Sequence, residues 1–383
     1  MAVLTTREGK PMTSRFLRLV LVPLIATSIF AATGALARPP GPAHPPTRSE
    51  QQDASSPSQE LADAAKLDAE VVRLYKEGKF EEATPLAKRV LKIREKLLPA
   101  NDPLMADSLG NLAALYLARL KFDDADSFLK RALSIYEQTP GQNIFLMAKT
   151  LDSLAHVRLF KSDVKKANAF YLRALSIKEN ALSPDHEEIL YSLNNLLDLY
   201  VSHKEYAKAN AMLRRIISIK ERKLGDSDTQ VGRLLERMAC LMYRNNEKAE
   251  AEKVEARANH ILYSDLATRP DPIGLPKDVF SCKLINNPRP DFMSIARGRR
   301  PTGKITMDVA IETDEAGNVT AARFIGGDPA FKSAAEKAAL NAKLRPTIVD
   351  GRAVKVEGVI SHHFMTMTRT VMVAVPGALM GRP

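Results

Sequence analysis

Residues 131–139 read "RALSIYEQT" and residues 173–181 read "RALSIKENA", one helical phrase written twice at an interval of 42. The interval holds along much of the chain. Arg89, Arg131, Arg173, Arg215 and Arg257 are each 42 apart, as are Ile93, Ile135, Ile177, Ile219 and Ile261. Ala83, Ala125, Ala167, Ala209 and Ala251 keep the same step, and so, further upstream, do Leu67, Leu109, Leu151, Leu193 and Leu235. Such a period marks a stacked repeat, in which each unit buries its apolar face against the next. Within one unit Leu109, Leu112, Ala113 and Tyr116 share a helical face. A turn follows near Lys121, and Ala125, Leu129 and Ala132 mark a second helix. The spacing predicts five helix hairpins over residues 61–265, joined by loops such as "LPANDP" and "LSPDHEE". The last unit, "NNEKAEAEKVEARANHI", is charged where the others are apolar, as a capping repeat requires. The Arg89 series lies on the second helices and is expected to pair with Glu95, Glu137, Glu179 and Glu221.

The rest of the composition bounds the function. At 383 residues the chain has room for two or three domains. It contains two cysteines, Cys240 and Cys282, far apart and without metal spacing. That excludes a disulfide framework or a zinc ribbon and leaves a single bridge open in an oxidising compartment. The net charge of +11 sits mainly in residues 1–37 and in residues 277–383, where 16 basic residues face 10 acidic ones. The nearly neutral middle favours a solvated basic surface over nucleic-acid binding.

The N-terminal stretch reads as an export signal. Arg15 and Arg18 precede the apolar run "LVLVPLIATSIFAATGALA", which ends in Ala35-Leu36-Ala37. A basic start, an apolar run and small residues two apart are the secretory pattern, and cleavage is expected after Ala37. The run is also long enough to stay in a bilayer as a signal anchor. Either reading exports the remainder, to the periplasm or to the periplasmic side of the inner membrane. Residues 38–60 form a Pro- and Ser-rich linker.

The hairpin pattern resembles the tetratricopeptide repeat, in the 42-residue variety of kinesin light chains. Leu112-Ala113, Tyr116, Phe122, Ala125 and Ala132 carry the resemblance, with their equivalents in the other copies. It implies an all-α superhelical solenoid whose first helices line a groove for a peptide or protein partner. By position that groove would present Asp107, Asn111, Lys149, Asp152, Ser153, His156, Tyr191, Asn194, Asn195, Asp198, Arg233 and Arg237.

After the Pro-rich breaker "ATRPDPIGLP", in an expected linker over residues 266–279, the periodicity changes. Ile305, Met307, Val309 and Ile311 alternate as a half-buried strand, "DEAGN" is a turn, and "VTAARFIGG" is the return strand. Asp328 caps a helix with Pro329 at its first position and with Phe331, Ala334, Ala335, Ala338 and Leu344 inward. "DGRAVKVEGVISHHF" is a last strand, which gives a two-layer β-β-α-β module with an antiparallel sheet over residues 280–368. The fold class is therefore α+β and multidomain.

The module resembles the C-terminal domain of TonB, the energy transducer of Gram-negative envelopes. Gly303, Asp314, Gly317, Phe331, Ala334-Ala335, Leu344-Arg345-Pro346, Gly351, Val354 and Phe364 match in order, while Pro290-Asp291-Phe292 stands where the family has a Tyr-Pro segment. The resemblance implies binding by strand addition, in which a peptide of an outer-membrane receptor pairs with the last strand. Val354, Val356, Gly358, Ile360 and His362 are the expected pairing residues. The tail 369–383 contains most of "TRTVMVAV", a strand that would cover the same edge.

No catalytic, metal or cofactor site assembles from the sequence. His156, His186, His203 and His260 are scattered, and His362 and His363 point to opposite faces of a strand. Two readings remain, neither of them an enzyme. One is an anchored TonB-like transducer or transport accessory that engages an outer-membrane receptor. The other is a soluble periplasmic scaffold that holds envelope proteins without passing force.

Overall fold

The computed structural model describes residues 56–139, 143–291, 303–366 and 372–375. The leader, most of the first linker, Phe292 and the end of the tail lie outside the described residues. No helix among the described residues is long and apolar enough to cross a membrane.

Among the described residues, ten helices run through the repeat region. They are α1 (Pro57–Lys76), α2 (Phe80–Leu97), α3 (Pro103–Ala118), α4 (Phe122–Gln138), α5 (Ile144–Phe160), α6 (Val164–Ala181), α7 (Glu187–Ser202), α8 (Tyr206–Leu224), α9 (Thr229–Arg244) and α10 (Lys248–Tyr263). Local chemistry sets several starts. Ser56 accepts from the Gln59 N–H at 3.3 Å and Pro57 opens the first turn, so α1 begins inside the stretch expected as linker. Asp102 and Asp228 cap α3 and α9 in the same way. The sequence pattern also hid a regularity in the turns inside the hairpins. Gly78, Leu120, Ser162, Lys204 and Asn246 recur at the repeat step, and all are left-handed, with φ of 75°, 59°, 59°, 61° and 66°. Gly and Asn tolerate that conformation, whereas Leu and Lys strain in it.

The chain divides into two compact units between Leu196 and Leu197, inside α7. In the first unit, Ala83, Leu109, Leu112, Ala125, Leu129, Ala132, Leu151 and Leu154 are all fully buried in one continuous core. The alanines of the repeat step all lie in the interior. They are 0% exposed at Ala83, Ala125, Ala167, Ala209 and Ala251, so no larger side chain fits there.

The second unit carries the later hairpins and the sheet module. The module contains β1 (Ile273–Gly274), α11 (Lys277–Lys283), β2 (Leu284–Asn286), β3 (Gly303–Thr313), β4 (Val319–Gly326), a 3₁₀ turn (Pro329–Phe331), α12 (Lys332–Leu340), β5 (Lys343–Leu344), β6 (Thr347–Val349), β7 (Arg352–Val354), β8 (Val356–Thr366) and β9 (Met372–Val375). The main sheet runs β1-β8-β3-β4, with β9 also on β8. β1 is parallel to β8; the other pairs are antiparallel. Residues 266–279, expected as linker, therefore hold a strand and the start of a helix. The expected helix ends at Leu340, and Leu344 lies instead in β5, which pairs with β2. Gly317 is fixed by its turn: φ is +79°, and a Cβ there would lie 2.3 Å from the Leu344 carbonyl oxygen. Phe331, Ala335 and Ala339 pack under Met307, Val309, Ile311, Val356 and Ile360, the alternating residues of β3 and β8.

Candidate functional site

Helices of the first unit enclose charge in a repeating arrangement. Arg94 of α2 reaches back to Asp68 of α1 at 2.5 Å. It also reaches forward to α3, donating to Ser108 Oγ at 2.6 Å and the Leu104 carbonyl at 3.0 Å. Asn111 donates to the same Asp68 at 3.3 Å. Two repeat steps later Lys178 does the same work. It donates to Asp152 of the preceding helix at 2.7 Å, to Ser192 of α7 at 3.0 Å and to Glu188 at 3.0 Å. Between these two, Tyr136 occupies the cation's position and donates to Asp107 at 2.9 Å. Burial pushes the Asp152 carboxyl up to about 6, against the pull of Lys178. The cations were legible as a pattern, because Asp68/Asp152, Arg94/Lys178 and Ser108/Ser192 are each two repeat steps apart.

The residues expected to line the first-helix groove take three different places. Asn111, Lys149, Asp152 and Ser153 are buried between helices. Lys149 lies 4.3 Å from the Phe145 ring and 3.5 Å from Glu188, and Ser153 donates to the Lys149 carbonyl at 3.0 Å. These four are thus interior groups bonded to neighbouring side chains and main chain, and they are not open to a partner as the groove reading expected. His156, Tyr191, Asn195 and Asp107 are half-buried, and Asn194 is exposed. His156 bridges two tyrosines, with Tyr171 Oη at 2.9 Å from Nδ1 and Tyr191 Oη at 3.3 Å from Nε2. Burial pulls its pKa down to about 4, so the ring is neutral near pH 7. Asp198, Arg233 and Arg237 belong to the second unit. There Arg237 donates to Asp198 at 3.0 Å, while Arg233 and the Tyr263 hydroxyl both donate to buried Glu236, at 2.9 and 2.6 Å.

Three members of the Arg89 series pair as their spacing requires. Arg131–Glu95, Arg173–Glu137 and Arg257–Glu221 bridge successive hairpins at 2.6, 2.7 and 2.7 Å. These pairs are largely solvated and organise the surface more than they stabilise it.

In the second unit the sheet module meets the last hairpin through polar contacts and through Tyr263 and Leu262, which pack with the module's apolar core. Cys240 of α9 and Cys282 of α11 form a disulfide with Cα atoms 5.6 Å apart. Lys283, 1% exposed, pairs with Glu255 of α10, which also accepts from the Tyr243 hydroxyl at 2.8 Å. The Arg345 guanidinium stacks 3.5 Å from the Tyr243 ring. Asn259 donates to the Ile348 carbonyl at 2.9 Å, and His260 meets Asp350 at 2.6 Å in the β6–β7 turn.

The edge of β8 is the second candidate surface. Its first residues are covered by β1, whose Ile273 N–H donates to the Lys355 carbonyl at 3.0 Å, and by the following Leu275 N–H, which donates to the Glu357 carbonyl at 2.9 Å. Its last residues, His363–Thr366, are paired with β9. Between them, residues 358–362 have no strand partner on that side among the described residues. Because main-chain direction alternates, Val359 and Ser361 share the outward orientation of Glu357. This shifts the expected register by one residue. Gly358, Ile360 and His362 turn their main chain to Ile311, Val309 and Met307 of β3, and Val356 bonds the Thr313 hydroxyl. Val354 belongs to β7 and pairs with Thr347. Of these expected residues, Val354, Val356, Ile360 and His362 bury their side chains, and Gly358 lies directly against Phe280. The hydrophobic alternation marked the core face, and the pairing edge belongs to the intervening residues.

A tetratricopeptide-repeat family model matches residues 72–138 and 146–222. The chain therefore contains tetratricopeptide repeats, and the match ends before the sheet module begins. No curated protein matches the chain. Among solved structures, the nearly identical TPR-like repeats of a protein described as a Podosopora anserina kinesin light chain are 19% identical, covering 52% of this chain and 95% of that one, with a TM-score of 0.44. BtubC (BKLC) from P. vanneervenii is 22% identical over 57% of this chain and 96% of its own, with a TM-score of 0.42. Aspartyl phosphate phosphatase F from Bacillus subtilis is 13% identical over 53% of this chain and 60% of its own, with a TM-score of 0.38.

Proposed function

We propose that this is an exported protein-binding protein whose repeats hold one envelope partner and whose sheet module takes an extended segment of another, as a TonB-like transport accessory does. The observation that carries this reading is the middle of the β8 edge, residues 358–362, which has no strand partner on its outer side among the described residues. There Val359 and Ser361 direct main-chain donors and acceptors away from β3, between two segments already capped by strands. Unpaired strand edges bind extended chains through main-chain hydrogen bonds. The protein-interaction half of the reading rests on the tetratricopeptide repeats. The export half rests on the basic-apolar leader and on a disulfide, a bond that persists in oxidising compartments.

A photo-crosslinker at Val359, activated in whole cells, tests the edge. A discrete adduct with an envelope protein that disappears on adding Ser361→Pro is expected, since Pro removes an outward N–H yet is tolerated at an edge. No adduct, or one indifferent to the proline, would sink strand addition. The intact mass after cell fractionation tests the leader. A mass beginning at Arg38 in the soluble periplasmic fraction selects the scaffold, whereas a retained leader in the inner-membrane fraction selects the transducer.

A further inference from the structure

We propose that Cys240–Cys282 is a reversible thiol–disulfide latch that fixes the sheet module to the last hairpin, and that its reaction partner is a protein dithiol. The two cysteines are the chain's complete set, so the latch has one oxidised and one reduced form. They lie on separate elements, Cys240 in α9 and Cys282 in α11, with the whole of α10 and β1 between them in sequence. Breaking the bond therefore cuts the single covalent shortcut across this junction. Both half-cystines are partly exposed, which gives a thiolate access. Arg244 places Nη2 3.5 Å from the Cys282 sulfur, and a cation there favours that sulfur as the departing thiolate.

The exchange balances. A thiolate of the partner dithiol attacks Cys240 Sγ; the S–S bond breaks and Cys282 leaves as the thiolate beside Arg244. The partner's second thiol then attacks the mixed disulfide and releases Cys240. The cystine gains two electrons and two protons, and the partner becomes a disulfide.

The other contacts across the junction are mostly polar, with a small apolar part. Lys283–Glu255 is a buried ion pair, whose desolvation offsets much of its attraction. His260–Asp350 is more than 40% exposed on both sides, and Arg345 holds Tyr243 by stacking. From the last hairpin, buried Tyr263 joins the module's apolar core and half-buried Leu262 packs against it. With the bond gone, loosening of the module from the hairpin is read at the exposed Lys277 end of α11, since Ile273 and Leu275 of the connector stay packed in the module's core.

The full-length oxidised protein is treated with dithiothreitol under native conditions, and cleavage by a low dose of trypsin is followed by mass. Lys277 supplies the site at the connector's end, since Arg269 precedes a proline and resists the protease. Reduction is expected to speed cleavage there at least tenfold while the cleavage pattern within residues 57–224 stays as it was. Equal cleavage rates before and after complete reduction would overturn the latch and leave an ordinary staple. Cys240→Ser/Cys282→Ser should reproduce the reduced pattern in the absence of reductant. Should that variant misfold, Arg244→Glu provides the second arm, because Arg244 is exposed and its replacement leaves both cysteines in place. It is expected to slow reduction by dithiothreitol about tenfold, and an unchanged rate would overturn the assignment of Cys282 as the leaving sulfur.

Discussion

The first unit and the sheet-module junction of the second bury charge in opposite ways. In the first, two of the three buried cations among the described residues are periodic: Arg94 and Lys178 stand two repeat steps apart, each spanning its own hairpin's aspartate and the next hairpin's serine, while Lys149 stands off the step. At the junction, Lys283, Glu255, Tyr243 and Arg345 form a group that occurs once among the described residues. A repeat can copy an interior staple because each hairpin presents the same faces to its neighbours. A boundary between two folds has no second copy, so its polar groups answer to one local geometry. The expected cost of disturbing each site follows from that contrast.

Lys178→Met should have the largest effect. It leaves Asp152, 0% exposed, without its cation, and breaking a buried pair from one side costs about 3–5 kcal/mol. Chemical denaturation followed by far-ultraviolet circular dichroism reads it. Adding Asp152→Leu should recover most of the loss, and no recovery would mean that the lysine acts through packing. Lys283→Met should cost less, about 2–3 kcal/mol, because Glu255 keeps the Tyr243 hydroxyl and partial solvent access. A larger loss at Lys283 than at Lys178 would reverse the comparison.

The pH dependence tests the same buried groups. Burial holds His156 and His362 at about 4, below the ordinary value of 6.5, so the native state binds fewer protons than the unfolded chain between those limits. Their contribution is therefore present above pH 6.5 and is lost as pH falls toward 4, by up to about 3 kcal/mol each. Asp152, raised to about 6, acts in the opposite sense, since its protonation below pH 6 relieves a buried charge. Net loss of stability from pH 7 to pH 4.5 is expected. In Asp152→Asn, whose side chain does not titrate, the fall should be steeper; an equal slope would show that Asp152 titrates normally.

Packing at β8 gives a middle-sized effect. A Cβ at Gly358 would lie 2.2 Å from the Phe280 ring, so Gly358→Ala should cost about 1–3 kcal/mol through displacement of α11. Smaller again is Leu120→Gly, which relieves a left-handed leucine and should stabilise by about 0.5 kcal/mol after the glycine's own entropy is counted. Arg131→Ala, at the solvated end of the scale, should change stability by less than about 1 kcal/mol. Both are read from the midpoint of the same denaturation curve.

The repeat was legible from residue spacing alone. Fixed spacing of Ala83, Ala125, Ala167, Ala209 and Ala251 marked interior positions, and alternation at Met307, Val309 and Ile311 set the core face of β3. Periodicity encodes which side of an element is buried, because burial is a property of a face. It also encoded the Arg–Glu pairs of successive hairpins. The placement of the polar groups came instead from the fold. It buried Asn111, Lys149, Asp152 and Ser153 instead of leaving them on a groove, since a helix's wheel does not say how near the next helix lies. It turned a proline-rich connector into β1, because a two-residue strand draws its stability from the β8 main chain it meets rather than from its own side chains. It brought Cys240 to Cys282 across 42 residues, and it gave the β8 edge to Val359 and Ser361. Those outcomes depend on the distances between elements, which one-dimensional spacing does not carry.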